Sequence, residues 1–482
     1  MAFEKKELKK KSENIADWYN DVVLKSELAD YGPVRGTMVI RPYAYAIWES
    51  IQEALNRMMK TAGVQNAYFP MFIPMSYLQK EKEHVKGFSP ELAVVTIGGG
   101  ETLSEPLAVR PTSETIMYSM FKKWVSSYRD LPLLLNQWCN VVRWEKRTYL
   151  FLRTTEFLWQ EGHTAHATHE DALAMVTQAH EWYRQIYEDY LALPVMMGTK
   201  SATEKFAGAI ATYTIETLMP DGKSLQSGTS HDLGQNFSKA FDITFQNKEG
   251  TLDHVWQTSW GLTTRSLGGM FLAHGDDQGL ILPPRVAPTQ IVIVPITKAN
   301  TDTTKLFIYI ERIAHSLREL GIRVHVDMRD SMTIGRKFNE WEVKGVPMRL
   351  EIGEKEMNDE CVTFVFRDGG EKQNLPMKGF VPEIQSMLDA MQKRLFAKQK
   401  KHLDDLTFDV STWEEFTKIM SSTRGFIRAL WCEDAACEKT IKEKTKATTR
   451  CLPLDAEKGT KQGTCIHCGK PATHRWIFGQ SY

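Results

Sequence analysis

Two arginine-bearing segments separated by a short loop carry the clearest chemical signal in this chain. The first reads Val-Val-Arg-Trp-Glu over 141–145, and the second runs from Leu152 to His163. Because residues two apart in a strand point to the same face, Arg143 would share a face with Glu145. On the return strand the shared face would carry Phe157, Trp159, Glu161 and His163. A cation, an aromatic platform, carboxylates and an imidazole together predict a site for a nucleotide beside a small charged molecule.

A further arginine, Arg265, ends a segment that begins at Ser259 and includes Gly261. We expect this segment to open a helix. A guanidinium group is a permanent cation with a fixed fork of donors, so it is the usual residue for gripping phosphate oxygens. Arg265 is therefore a second candidate for phosphate binding.

Five of the seven cysteines fall after residue 430, in a lysine-rich region. Cys432 and Cys437 are five positions apart, and Cys465 and Cys468 form a Cys-x-x-Cys pair. In a cytosolic chain, two such pairs favour a tetrahedral Zn²⁺ site of four thiolates over disulfides. Such a site would be structural. The alternative ligands that the sequence leaves open are Cys451, His467 and His474.

The composition is that of a soluble multidomain protein. The chain has 482 residues, too many for one hydrophobic core, and is 42% hydrophobic and 25% charged. Sixty basic residues balance sixty acidic ones, so the net charge does not indicate a nucleic-acid partner. No apolar run approaches the length of a membrane span, and the N-terminal stretch has no apolar signal core. We expect a cytoplasmic protein without membrane association.

The first half of the chain predicts an antiparallel sheet with helices outside it. Apolar residues at helical spacing predict helices over 43–59 and 170–191, and the alternation of Lys and Glu over 1–30 predicts an exposed helix. A strand is expected over 67–72. Pro70 lacks an N–H, so this strand suits a sheet edge or a dimer seam.

A proline-rich stretch at 282–288 indicates a domain boundary. Beyond it, alternating strands and helices predict a compact α/β unit without a glycine-rich dinucleotide loop. The cysteine region follows as a small α+β unit. The sequence thus predicts a multidomain α+β protein with domains at 1–285, 286–405 and 406–482.

Together these segments resemble the three signature motifs of class II aminoacyl-tRNA synthetases. Pro70 after a long helix resembles motif 1, the arginine-bearing hairpin resembles motif 2, and the segment from Gly261 to Arg265 resembles motif 3. Other segments resemble the prolyl-tRNA synthetases of the archaeal/eukaryotic type, whose members carry a zinc-binding C-terminal domain. They are Arg110-Pro111-Thr112-Ser113-Glu114, Trp159-Gln160-Glu161-Gly162-His163, Gly228-Thr229-Ser230-His231 and the stretch from His274 to Arg285.

The resemblance implies a class II catalytic core, an α/β anticodon-binding domain and a zinc-binding C-terminal domain. It implies ATP-dependent attachment of L-proline to tRNA(Pro) in two steps through a prolyl-adenylate, with release of AMP and pyrophosphate. ATP would come with Mg²⁺, the C-terminal metal would be a structural Zn²⁺, and the enzyme would be a homodimer. In this family type the carboxylate of a C-terminal tyrosine, here Tyr482, docks onto the catalytic domain.

The resemblance also implies roles for single residues. Arg143 and Arg265 would be catalytic, Glu145 would accept from the adenine amino group, and Phe157 would stack on the base. The ATP set is Arg143, Glu145, Arg153, Thr154, Phe157, Gln226, Thr229 and Arg265. The proline set is Thr112, Glu114, Arg143, Trp159, Glu161, His163, Phe206, His231, Ser259 and Gly261, of which Glu114, Thr112 and Glu161 would bind the ammonium group. The anticodon candidates are Glu342, Arg349 and Arg367.

Two alternatives remain. One is another class IIa synthetase, for threonine, serine or glycine. A threonine enzyme would need a Cys/His zinc set in its catalytic domain, and a serine enzyme a long N-terminal coiled coil. The other is a non-catalytic paralogue that binds RNA, which would be expected to lose the phosphate-gripping arginines.

Overall fold

Three units follow one another along the chain, and the first is built on a long antiparallel sheet. The computed structural model describes residues 8–78, 91–297, 302–456 and 463–482. The helices of the first unit are α1 Ile15–Lys25, α2 Pro42–Thr61, α3 Met75–Leu78, α4 Glu114–Trp124, α5 His169–Gln185, α6 Asn236–Phe241 and α7 Arg265–His274. Its strands are β1 Ala29–Tyr31, β2 Met38–Ile40, β3 Gln65–Asn66, β4 Phe72–Pro74, β5 Ala93–Gly98, β6 Glu101–Val109, β7 Leu133–Val142, β8 Glu156–His166, β9 Met196–Thr199, β10 Ala211–Leu218, β11 Ser224–Gly234, β12 Thr244–Gln246, β13 Leu252–His254 and β14 Trp256–Thr263.

The centre of this sheet has the strand order β9-β10-β11-β14-β8-β7, and all these neighbours are antiparallel. The register aligns His163 with Ser259, and Ser259 with His231. Residues two apart on a strand share a face, so a second row lies on the same face. It consists of Glu161, Gly261 and Thr229.

The opposite face of the sheet packs against α5. Thr168 caps this helix by accepting from the N–H of Asp171. From the buried side of α5, the Tyr183 hydroxyl donates to Gln160 Oε1 at 2.8 Å. Since Gln160 lies between Trp159 and Glu161, the odd-numbered residues of this part of β8 point away from α5.

The second unit is a mixed five-stranded sheet with the order β16-β15-β17-β18-β19. β15 runs parallel to both its neighbours, and the remaining pairs are antiparallel. Its strands are β15 Ile291–Ile296, β16 Val324–Val326, β17 Met348–Gly353, β18 Cys361–Phe366 and β19 Gln373–Pro376. Its helices are α8 Thr304–Glu319, α9 Ile334–Val343, α10 Glu354–Asn358 and α11 Met377–Asp405.

The third unit extends the sheet of the first. Its strands are β20 Thr407–Asp409, β21 Phe426–Trp431, β22 Ala447–Pro453, β23 Gly463–Thr464, β24 Pro471–Ala472 and β25 His474–Gln480, with helices α12 Trp413–Ser421 and α13 Ala435–Thr445. β22 pairs with β9 through Leu452 opposite Thr199 and Pro453 opposite Gly198. Among the described residues, one sheet of eleven strands therefore runs through both units. No described helix is long and apolar enough to cross a membrane.

The α+β prediction is confirmed, but two predicted features of the arginine-bearing segments are wrong. β7 ends at Val142, so Arg143 and Glu145 do not share a strand face. There the chain turns, because the N–H of Glu145 donates back to the carbonyl of Arg143 at 2.7 Å. The segment that begins at Ser259 is still strand up to Thr263, and the helix begins only at Arg265.

Several other predicted bounds also differ. The strand expected over 67–72 occurs only at Phe72–Pro74, consistent with the missing N–H of Pro70. The helix expected over 1–30 spans Ile15–Lys25, and residues 1–7 lie outside the described residues. Its predicted exposure is wrong, because one face of the helix packs into the core through Trp18, Tyr19, Val22 and Val23. The helix expected over 170–191 ends at Gln185 and continues as one wider turn, Ile186–Tyr190.

Candidate active site

A cavity of about 250 Å³, here called the central cavity, opens on the sheet face that carries the two polar rows. Every residue predicted for proline binding lines it, namely Thr112, Glu114, Arg143, Trp159, Glu161, His163, Phe206, His231, Ser259 and Gly261. Of the predicted ATP set, Arg143, Phe157, Gln226, Thr229 and Arg265 line it. The period-two reading of β8 and the later segments therefore converge on one site.

Two half-buried arginines supply the positive charge of the central cavity. The Nε of Arg143 donates to the carbonyl of Pro111 at 3.1 Å, and its guanidinium lies 5.5 Å from the ring centres of both Phe157 and Trp159. The Nε of Arg265 donates to the carbonyl of Leu152 at 2.9 Å. Burial lowers the pKa of both guanidinium groups from the ordinary value. Because these cations are partly withdrawn from water, they are screened less than surface arginines and favour a bound anion.

Three members of the predicted ATP set do not line the central cavity. Arg153 pairs with Glu145 at 3.2 Å and lines a neighbouring cavity of about 560 Å³. That cavity also contains Glu204, Gln226 and Arg265, so the two cavities adjoin. Burial raises the pKa of Glu145, although the charge of Arg153 opposes the shift. The hydroxyl of Thr154 donates to the carbonyl of Glu156 at 2.7 Å.

Glu161 is the most heavily hydrogen-bonded group of the site. It accepts from the N–H and the hydroxyl of Ser113, from Gln137 Nε2 at 2.9 Å and from His163 Nε2 at 3.0 Å. A carboxylate has about four acceptor positions, so Glu161 is saturated by the protein itself. Burial alone would raise the pKa of Glu161, but these hydrogen bonds hold it below the ordinary value. Glu161 therefore fixes its neighbours in place and has little capacity left for a ligand.

A carboxylate better placed for a ligand is Glu114, the first residue of α4. The hydroxyl of Thr112 donates to it at 2.5 Å. A negative charge at a helix N-terminus is stabilised by the exposed backbone N–H groups. Glu114 is buried and lines the central cavity, as Arg143 does. The cavity wall thus carries a negative group as well as a positive one.

Phe206 and His231 form a stacked pair on another wall, with ring centres 4.5 Å apart. Thr212 joins them: its hydroxyl accepts from the N–H of Phe206 at 2.9 Å and lies 3.0 Å from His231 Nδ1. Burial lowers the pKa of His231 to about 4, so this imidazole is neutral at physiological pH. The pair is a flat, uncharged surface.

Sequence reasoning missed several residues that line the central cavity. They are Lys200, Glu204, Thr212, Ser227, Gly228, Trp260 and Thr263. Thr263 continues the alternation of Ser259 and Gly261, so strand register could have found it. The same alternation places the side chain of Trp260 on the opposite face, against Trp182 of α5, so register would not have indicated Gly228 or Trp260. Lys200, Glu204 and Thr212 lie in or beside the β9–β10 connection, where no periodicity indicates which side chains face a ligand.

The four cysteines predicted as metal ligands lie together in the third unit. All four sulfur atoms are within 4.8 Å of one another. The Sγ atoms of Cys432 and Cys468 are 3.5 Å apart and those of Cys437 and Cys465 are 3.7 Å apart. Four thiolates about 2.3 Å from one tetrahedral Zn²⁺ would be about 3.8 Å apart, so the spacing fits a shared ion better than disulfides. The alternatives Cys451 and His474 lie outside this cluster.

The three anticodon candidates line one cavity of about 330 Å³ between the second unit and the end of the first, where Asp276 and Ile281 also line it. Two of them already have protein partners. Arg349 bonds Glu351 at 3.0 Å, and Arg367 forms a bidentate pair with Asp276 of the first unit at 2.8 and 2.5 Å. The remaining candidate, Glu342, accepts at its backbone carbonyl from Arg367 Nε.

Tyr482 lies against the first unit, as predicted. Its N–H donates to the carbonyl of Ser224 at 3.1 Å, and its ring centre is 4.6 Å from Lys223 Nζ. The residue lines the neighbouring cavity that contains Arg153 and Arg265. Tyr482 therefore lies close to the predicted phosphate-binding arginines.

Comparisons with known proteins identify the family. Family models match three successive parts of the chain: the tRNA synthetase class II core domain (G, H, P, S and T) over 99–273, the anticodon binding domain over 290–387 and the prolyl-tRNA synthetase C-terminal domain over 413–482. A proline--tRNA ligase 2 of Clostridioides difficile is 50% identical over 479 residues, which cover 99% of this chain and 98% of that protein. The chain belongs to the prolyl-tRNA synthetase family. A proline--tRNA ligase of Chlorobaculum tepidum is 51% identical over 478 residues, with 98% of each chain covered.

Solved prolyl-tRNA synthetase structures have the same fold. That of Cryptosporidium parvum complexed with L-proline and AMP has a TM-score of 0.93 at 42% identity and covers 98% of this chain and 96% of its own. The same organism's enzyme complexed with halofuginone and AMPPNP has a TM-score of 0.94 at 44% identity, covering 98% and 99%. The predicted family and the predicted class II architecture are confirmed.

Proposed function

We propose that this prolyl-tRNA synthetase family member attaches L-proline to tRNA(Pro) in two steps through a prolyl-adenylate, releasing AMP and pyrophosphate. The observation that carries the proposal is the central cavity, which holds two half-buried arginines, an aromatic platform and a buried carboxylate within one small volume. Such a cavity can hold the anionic end of a nucleotide and the zwitterion of a small amino acid together. The names of the full-length relatives supply the amino acid.

The first step needs no protein nucleophile. The proline carboxylate attacks the α-phosphorus of ATP in line, and pyrophosphate leaves. Catalysis then consists of positioning and of stabilising the charge that builds up on the phosphorus oxygens. In this proposal Arg143 holds the α-phosphate and the carboxylate, Arg265 and Arg153 hold the leaving phosphates, and Phe157 stacks on adenine. Glu145 accepts from the adenine amino group, and Gln226 and Thr229 line the nucleotide.

The proline end of the cavity needs a negative charge and a snug apolar wall. We assign the ammonium group to Glu114 with Thr112, since the oxygens of Glu161 are filled by Ser113, Gln137 and His163. Trp159 and the stacked pair of Phe206 and neutral His231 would enclose the ring. Ser259 and Gly261 form the floor between them; within the described part of the chain the buried hydroxyl of Ser259 has no hydrogen-bond partner.

The metals belong to the proposal as well. Mg²⁺ would accompany ATP and neutralise phosphate charge. Zn²⁺ would be held by Cys432, Cys437, Cys465 and Cys468 and would hold the third unit together. It lies in a different unit from the central cavity, so no catalytic step is assigned to it.

The partners complete the proposal. The proposed domain bounds are 1–285, 286–405 and 406–482. tRNA(Pro) would bind the second of these domains near Glu342, Arg349 and Arg367. A cytoplasmic homodimer would form through the motif 1 region near Pro70. Tyr68 and Phe72 flank Pro70 and are 73% and 44% exposed, so apolar surface is present there for a partner copy.

The decisive experiment is amino-acid-dependent ATP–pyrophosphate exchange across all twenty amino acids, with Arg143→Ala as the inactive control. We expect exchange with proline only, lost in the variant. Exchange with threonine, serine or glycine in place of proline would overturn the assignment of the pocket. No exchange with any amino acid, in a folded sample containing its metal, would favour the non-catalytic paralogue.

A further inference from the structure

The 200–206 segment, the first part of the connection from β9 to β10, forms a wall of the central cavity. Lys200, Glu204 and Phe206 line that cavity. Phe206 is kept in place from the cavity side by His231 and Thr212. The other side of the segment faces the third unit, far along the chain.

A buried carboxylate of the third unit holds this outer side. Glu438, in the first turn of α13, is 5% exposed, and the hydroxyls of Ser201, Thr203 and Thr449 all converge on it. Ser201 Oγ lies 3.3 Å from one of its oxygens. The carbonyl of Ser201 in turn accepts from the N–H groups of Glu204 and Lys205, which forms the turn that leads to Phe206.

A second contact holds the beginning of the segment. Lys200 Nζ donates to Glu216 at 2.6 Å, and Arg450 of β22 donates to the other oxygen of Glu216 at 2.8 Å. The three side chains are almost fully buried. The third unit therefore contacts the 200–206 segment directly through Glu438 and indirectly through Arg450, which bonds the Glu216 carboxylate that holds Lys200.

We propose that Glu438 is a positioning residue for amino-acid recognition: by fixing Ser201 and Thr203 it keeps Phe206 against His231 at the proline pocket. The inference rests on the proposed function, because it takes Phe206 as part of the wall around the proline ring. It makes the third unit a part of the substrate site, although none of that unit's described residues lines the central cavity.

The test is steady-state ATP–pyrophosphate exchange by Glu438→Ala, Glu438→Gln and the control Glu443→Ala. Glu443 is on the same helix with its side chain 63% exposed. We expect Glu438→Ala to raise the KM for proline about tenfold, with the KM for ATP and kcat changed less than about twofold, since the loss is in binding geometry. Glu438→Gln should keep most of the wild-type KM, because an amide of the same length can still bond three rotating hydroxyls. Glu443→Ala should match the wild type.

A second variant approaches the same contact from the first unit, in case the alanine variant disturbs α13 and the adjacent Cys437. The double substitution Ser201→Ala with Thr203→Val removes two of the hydroxyls and leaves α13 untouched. It should raise the KM for proline in the same way and speed amide hydrogen exchange in the 200–206 segment. An unchanged proline KM in both variants would overturn the inference while leaving the proposed function intact. Absence of proline-dependent exchange in the wild type would overturn the proposed function, and this inference with it.

Discussion

His163 Nε2 lies 3.0 Å from Glu161 Oε2, two residues earlier on β8, and the two side chains are only 1% and 2% exposed. Burial opposes ionisation of His163, but its hydrogen bond to Glu161 and the charge of Glu114 raise its pKa above 6.5. Burial likewise opposes ionisation of Glu161, whose hydrogen bonds nevertheless lower its pKa below 4.5. Each group thus favours the charged form of the other.

This pairing predicts a pH-dependent contribution to stability. The contribution of ionised Glu161 to the free energy of unfolding is present above pH 4.5 and is lost as the pH falls through the lowered pKa of Glu161. The contribution of protonated His163 is present below pH 6.5 and is lost as the pH rises through the raised pKa of His163. Glu161→Gln should therefore lower the melting temperature more at a pH of about 5.5 than at about 8.5. Equal losses at both pH values would show that the pair is not ionised.

Substitution of Gly261 by alanine tests the floor of the central cavity without destabilising the fold. A Cβ added there would lie 3.4 Å from the Gln160 carbonyl and 3.6 Å from Trp159, which are ordinary contacts. We expect Gly261→Ala to melt close to the wild type but to raise the KM for proline or ATP about tenfold, because the methyl group occupies ligand space. Gly162→Ala is the matched opposite: its Cβ would meet Trp260 at 2.2 Å, so it should destabilise the fold by about 1–3 kcal/mol. A Gly261→Ala variant with wild-type KM values would place the ligands elsewhere.

The periodic parts of the site were predictable from the sequence, and the irregular parts were not. The alternation of Phe157, Trp159, Glu161 and His163 needs only a strand, so the predicted face is the observed one. The direction of a side chain in a loop does not follow this alternation. Arg143 and Glu145 were placed on one face because the sequence does not show that the strand stops at Val142.

The saturation of Glu161 is a second point that sequence alone could not reach. Its donors come from three places in the chain: Ser113 precedes α4, Gln137 lies on β7, and His163 lies on β8 itself. Only the tertiary structure brings them together. The cysteine cluster could be predicted from the sequence because the spacing within each cysteine pair reflects local ligand geometry. The pairing of Arg367 with Asp276 could not, because the two residues are ninety-one positions apart and lie in different units.

Arg265 should be sensitive to loss of its planar donor fork as well as its charge. Its Nε is bound to the carbonyl of Leu152, which orients the guanidinium in the central cavity. Lysine keeps the charge but cannot bond this carbonyl and a phosphate in the same geometry. We expect Arg265→Lys to lower the kcat of exchange by about 10²–10³. Arg312→Lys, at an exposed arginine of the second unit, is the control. Wild-type turnover by Arg265→Lys would show that charge alone suffices.

The cysteine cluster predicts one bound metal per chain. Cys465→Ser should lose the metal, measured by elemental analysis of the purified protein, and should melt at a lower temperature, since a structural Zn²⁺ contributes directly to folding. Cys451→Ser is the matched control, because Cys451 is buried on β22 but lies outside the cluster. Loss of metal from Cys451→Ser with retention by Cys465→Ser would reverse the ligand assignment.

The Arg367–Asp276 pair predicts that Arg367 acts between units in addition to any contact with tRNA. The Arg367 side chain is 6% exposed, whereas that of Asp276 is 40% exposed, so solvent weakens the pair and a coupling energy of about 1 kcal/mol is expected. A double-mutant cycle with Arg367→Ala and Asp276→Ala, followed by chemical denaturation, measures that energy. Aminoacylation by the same variants separates the two roles. If Arg367 serves only the interface, both single variants should raise the KM for tRNA(Pro) equally. If Arg367 also contacts the anticodon, Arg367→Ala should raise the KM for tRNA(Pro) clearly more than Asp276→Ala does. A coupling energy near zero in the double-mutant cycle would contradict the role between units and leave contact with tRNA as the sole role of Arg367.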